Sequence, residues 1–151
     1  MIKSVFTPSD VAELKERISK LTPQSTPLWG KMNVGQMLAH ANVSYEMAYT
    51  NKHPRPNAFL RLMLKMFAKD MVVGPQPYKR SLPTAKAFLM SEQKDFETEK
   101  KRLLDFIDYT LQLGKQHFEG KESLSFGKLT SEEWNVMFYK HLDHHLQQFG
   151  V

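Results

Sequence analysis

The chain has 151 residues, 41% of them hydrophobic, which is enough for one domain with one core and too few for two. Its formal net charge of +5 comes from Lys and Arg dispersed among Asp and Glu, a distribution that argues against nucleic acid as a partner. It contains no cysteine, so disulfides, a thiolate nucleophile and cysteine-based zinc sites are excluded, and His and carboxylate remain as the strong ligand types.

The first ten residues, from Met1 to Asp10, hold no apolar run of the signal-peptide kind. No window reaches the roughly 18 uncharged apolar residues of a membrane span, so the membrane is not an expected partner and a cytoplasmic location is expected. Thr7-Pro8-Ser9-Asp10 reads as a helix start, with Thr as cap, Pro at the first helical position and an acid near the exposed amides. Val11, Leu14, Ile18 and Leu21 follow at helical spacing, which predicts a first helix over 8 to 21, ended by Pro23 and Pro27. Asn33, with Gln36 three residues later, caps a second helix running to about Thr50. His40 lies on the flank of its apolar face, one turn from Gln36 and from Ser44.

From Asn51 to Pro83 the chain changes character. Prolines at 54, 56, 75, 77 and 83 bracket an apolar stretch from Phe59 to Val73, in which Arg61, Lys65 and Lys69 share one face. This predicts a basic amphipathic helix inside a long connection. An arc of three charges leaves too much apolar surface for a solvated helix, so the stretch is expected to pack on the bundle or on a second subunit, which makes a homodimer one expected assembly. A further helix over 92 to 113 carries Phe96, Leu103, Leu104, Ile107 and Leu111 inward and is stopped by Gly114. Residues 115 to 129 read as a loop. Thr130-Ser131-Glu132-Glu133 opens a last helix that Gly150 closes. The expected fold is all-α, one four-helix-bundle domain over 1 to 151. Short links favour antiparallel neighbours, whereas a connection of about 40 residues can carry the chain back to a parallel one, so the order is up, down, down, up with the extra amphipathic helix on the crossover.

The last helix carries the chemistry. On a helix turning by about 100° per residue, Trp134, Phe138, His141, His145, Gln148 and Phe149 share one face, with Lys140, Asp143 and Gln147 opposite. Two histidines thus interrupt a stripe that ought to be apolar, and two buried polar rings need partners. His141 and His145, one turn apart, can converge on one ion, as two of the nitrogen donors in an open zinc site do; the alternative is a pair of core histidines bonded to carbonyls. His40, His53 and His117 compete for a third position, and of these only His40 lies on an expected bundle helix. No carboxylate is placed beside His141 and His145 by local spacing, and Asp143 points away from them. Gln36 and Gln148, on the edges of the two helix faces, and His144, at the border, are candidates for contacts behind the ligands or to a substrate. Boundary residues bonded locally are the plainer reading of all three.

Two segments carry a resemblance: Met32-Asn33-Val34-Gly35-Gln36-Met37-Leu38-Ala39-His40, and His141-Leu142-Asp143-His144-His145-Leu146-Gln147-Gln148 closing a four-helix chain. Essentially the whole chain resembles the DinB-like superfamily, which includes the YfiT-type metal-dependent hydrolases. It is most similar to a branch known only as a domain of unknown function, through Phe126-Gly127-Lys128-Leu129-Thr130, Glu133-Trp134 and Gln148-Phe149-Gly150. The resemblance implies one His from the second helix and two from the last, here His40, His141 and His145, around a divalent ion such as zinc or nickel. It also implies hydrolysis, or activation of a small-molecule thiol, on a small-molecule substrate that the sequence leaves open. Two other classes stand beside this one: a bundle in which an ion or polar network only fixes the helices, and a protein that docks on a membrane surface or partner through residues 59 to 73.

Overall fold

Reciprocal caps place the two helices that matter most. The computed structural model describes residues 2–151; Met1, the first residue of the expected domain, lies outside them. Helix α1 (Pro8–Ser19) starts on the expected proline, although the Thr7 side chain makes no capping bond. It leaves the helical path before Leu21, which stays buried. In α2 (Val34–Tyr49), Asn33 accepts from the Gln36 amide at 2.8 Å while the Gln36 side chain accepts from the Asn33 amide at 3.0 Å. From Val34 to Glu46 every α2 residue except Gln36 is buried, so α2 is the central helix rather than a one-sided one.

The crossover holds two helices where the sequence predicted one. Helix α3 (Ala58–Phe67) and α4 (Lys69–Val73) part at Ala68. The turn is explained by the docking of α4 on the last helix, where Lys69 pairs with Glu133 at 2.7 Å. The Lys140 ammonium also donates to the carbonyls of Met71 (2.8 Å) and Gly74 (2.5 Å). Lys140, assigned by periodicity to the solvent face, is therefore buried. The crossover forms a second layer on that side, and burial pushes the Lys140 pKa down to about 8. Helix α3 is inverted relative to expectation. Arg61 turns back to Glu122 at 2.8 Å, whereas Phe59, Leu62, Met66 and Phe67 face outward, and no residue of α3 is buried. The bundle does not cover this apolar arc. Among the described residues, no helix is long and apolar enough to cross a membrane.

A 3-10 turn (Lys86–Phe88) leads to α5 (Phe96–Phe118), capped by Asp95 and so starting later than residue 92. Gly114, at φ +71, kinks α5 where the sequence predicts its stop, and one more turn follows. That turn carries Phe118 into the core, fully buried against Trp134 at 5.6 Å and Phe138 at 5.9 Å. The expected loop after it contains a small antiparallel pair, β1 (Glu122–Ser123) and β2 (Gly127–Lys128), too short to leave a period in the sequence. Helix α6 (Ser131–Gln148) opens on the expected Thr130–Glu133 capping box.

Cross-contacts fix the directions. Asn42 donates to the Glu99 carbonyl (3.0 Å) and Tyr49 bonds Thr110 (2.6 Å), so α2 and α5 run parallel. Lys15 meets Asp108 (2.7 Å) and Lys100 meets the Leu21 carbonyl (3.0 Å), which sets α1 antiparallel to α5. Tyr45 stacks on Phe138 at 4.7 Å one turn from the His40–His141 contact, which sets α6 antiparallel to α2. The order is up, down, down, up, around one apolar cluster in which Trp134, Tyr45, Phe118 and Phe138 are the largest buried side chains. Burying each such side chain contributes about 1.5–3 kcal/mol.

Candidate metal centre

The two capped helices bring three histidines to one point. One ring nitrogen from each of His40, His141 and His145 lies within 4.8 Å of the others, and the Nε2 atoms of His40 and His141 are 3.0 Å apart. His40 and His145 are buried, while His141 exposes an edge to a cavity. Each Nδ1 atom is engaged: His40 with the Phe88 carbonyl (2.9 Å), His141 with the Ser44 hydroxyl (2.9 Å) and His145 with Gln148 Oε1 (2.8 Å). A carbonyl and an amide oxygen can only accept, so His40 and His145 carry their protons on Nδ1 and present an Nε2 lone pair. His141 can take either tautomer. With its proton on Nε2 it donates to His40; with its proton on Nδ1 it donates to Ser44, and three lone pairs converge.

Electrostatics keep these rings in the form a metal needs. Burial lowers the pKa of His40, pushes that of His141 well below its ordinary value and takes His145 down to about 3. All three are then neutral at pH 7, and neutral imidazole is the ligating form. The donor set of three nitrogens with an open side toward a cavity fits a divalent ion.

Gln148 links the cluster to the chain ahead of α2. Its Nε2 donates to the Trp29 carbonyl at 2.6 Å, and its own carbonyl accepts from the Leu28 amide at 2.7 Å. Gly30 is required beside it: at φ +83, a Cβ there would come within 2.5 Å of Gln148 Nε2. Gln148→Leu should therefore weaken divalent-ion binding about 10–100-fold by freeing the His145 ring. Competition against a chromophoric chelator would measure this, and unchanged affinity would assign Gln148 to packing alone.

The other candidates separate. Gln36 is engaged in capping, bonded to Asn33 and to the Glu92 carbonyl (3.2 Å), and it is not among the residues that line the cavity. His144 lines the cavity, its ring against Trp29 (5.8 Å) and Tyr78 (5.6 Å), but it does not join the nitrogen cluster. His53 bonds Glu46 at 2.7 Å rather than lying solvated, and His117 is exposed beside Lys121. Reasoning from side-chain pattern did not find the Phe88 carbonyl, because a main-chain oxygen on the crossover leaves no signal in residue identity. Ser44 carried one, a hydroxyl one turn from His40, although its partner is His141.

Above the cluster lies a cavity of about 810 Å³ with a mostly apolar lining. Its far wall is the crossover, contributing Leu64, Ala68, Met71, Val72, Tyr78 and Phe88 among others, and no Asp or Glu is among the residues that line it. The volume falls in the upper part of the range of small-molecule sites.

A family described as "Protein of unknown function (DUF1569)" matches residues 6–150, and the chain belongs to it. No curated protein and no solved structure matches the chain.

Proposed function

We propose that this member of the family is a divalent-metal-dependent enzyme, a hydrolase or a transferase of a small-molecule thiol, built as a single DinB-like bundle. The observation that supports it is the convergence of His40, His141 and His145 on one point, each Nδ1 held from a separate place: the crossover, α2 and the end of α6. In this reading the three histidines are ligands, for zinc or nickel, and not proton shuttles. Held by His40, His141 and His145 as neutral imidazoles, a divalent ion would keep its full charge and would supply Lewis acidity near neutral pH. The chain does the rest. Ser44, the Phe88 carbonyl and Gln148 orient the rings. The cavity holds a small substrate over them and excludes bulk water, and its lining offers no carboxylate as a base.

A second reading has its own support. With the His141 proton on Nε2, the His40–His141 contact closes as an ordinary hydrogen bond, and the cluster becomes a polar network that fixes α2 against α6. Elemental analysis after purification without added metal, followed by ester, amide and thiol-transfer assays on loaded and chelated protein, tests the two together. Turnover confined to the loaded form is the expected outcome. Turnover that survives complete chelation would overturn the metal-centred mechanism, and a metal-free protein inert on every substrate would leave the structural network in place.

A further inference from the structure

The cavity says more than that its occupant is small. Its walls are apolar on three sides, with Leu64, Met71 and Val72 from the crossover, Leu124 and Phe126 from the hairpin segment and Met137 from α6. Every ionisable side chain in its lining is a histidine, a tyrosine or a lysine. The lysines are Lys31 and Lys79, both exposed and therefore at the mouth. Beside them the Arg80 guanidinium sits 4.2 Å from the centre of the Trp29 ring, so the same rim carries a third cation. With no acid in the lining and a chain of net charge +5, the rim attracts anions.

We infer that the cavity binds an anionic amphiphile: an apolar body lying between the crossover and α6, and an acidic group held at the mouth by Lys31 and Lys79. This builds on the reading of the histidine cluster as the reactive floor of the site, but the binding itself uses only the walls and the rim. The walls remove a hydrocarbon chain from water, which favours entry in proportion to the apolar area covered. The rim selects the sign of the head group, since a cation of equal length would meet two lysines and an arginine. An uncharged compound would gain the first contribution without the second.

The test uses two fluorescent probes on the full chain, with and without chelator: anionic 1-anilinonaphthalene-8-sulfonate and neutral N-phenyl-1-naphthylamine. Both should bind saturably at one site on protein that still melts cooperatively. Dodecanoate should displace them at a concentration at least about tenfold lower than dodecyltrimethylammonium does. Lys31→Glu with Lys79→Glu should weaken the sulfonate about tenfold and leave the neutral probe within about twofold. Met137→Trp, and separately Leu64→Trp, should block both probes by filling the cavity, with zinc titration unchanged. Equal displacement by the cation, or binding that vanishes on chelation, would overturn the assignment of the rim. Absence of saturable binding by either probe, in protein that takes up one zinc ion, would overturn the inference while leaving the metal site intact.

Discussion

His141→Ala is expected to lower the affinity for a divalent ion at least about a hundredfold. His141 packs against both of the others: its Nε2 is 3.0 Å from His40 Nε2, and its ring centroid is 4.8 Å from that of His145. Without it only two donors remain, His40 and His145 with ring centroids 4.5 Å apart, and Ser44 loses its partner. Acid should release the ion from the unaltered protein, because protons compete for the same lone pairs, and the lowered pKa of the buried rings, about 3 for His145, places that release below pH 5. His144→Ala provides the contrast, since that ring stands outside the cluster, and its effect should be at most a few fold. Calorimetric titration with zinc measures all of these. Stoichiometric binding by a variant lacking all three histidines would end the assignment.

Glu46→Ala should cost about 3 kcal/mol of stability, a fall of about 10 °C in Tm for a chain of this size. Glu46 is 2% exposed, yet it is ionised, accepting from Lys52 (2.8 Å), from His53 (2.7 Å) and from Arg102. Arg102 in turn holds Glu99 (2.7 Å), to which Asn42 donates, so one carboxylate anchors the α2–α5 contact. Burial on its own would raise the Glu46 pKa, but the hydrogen bonds from Lys52, Arg102 and His53 outweigh it and hold the value at about 2, below the usual 4.5. The sign follows: a lowered folded value contributes stability that is complete above pH 4.5 and is lost as pH falls through about 2. Melting curves of both proteins at pH 7 and pH 3 would show the gap narrowing in acid. A Tm within about 2 °C of the unaltered protein at pH 7 would remove Glu46 from the stabilising groups.

Periodicity and capping rules made the bundle legible because they are local. Thr130 with Glu133, Asn33 with Gln36 and the stripe from Trp134 to Phe149 all act within one or two turns, and the structure places them as the sequence predicts. Lys140 shows where that reasoning stops. A helical wheel assumes one buried side, whereas α6 is covered on a second side by α4, and nothing within α6 records the visit of a segment some 70 residues earlier. The inverted α3 has the same origin: Glu122, far along the chain, draws Arg61 inward. His40 was set apart from His53 and His117 only by lying on an expected bundle helix, and the resemblance supplied the rest.

The parallel run of α2 and α5 obliges the chain to travel back along the bundle before α5 begins, and that return, residues 50 to 95, forms the far wall of the cavity. The histidine cluster and the far wall of the cavity are thereby written in different stretches of the gene. Codons for α2 and α6 are constrained by the cluster and the core together, and most changes there forfeit both. Codons for the crossover answer chiefly to what must fit beneath it, with the Phe88 carbonyl and the Phe88 and Tyr78 rings as its contacts with the histidines. A lineage could exchange this segment and acquire a new ligand while inheriting the same histidine cluster.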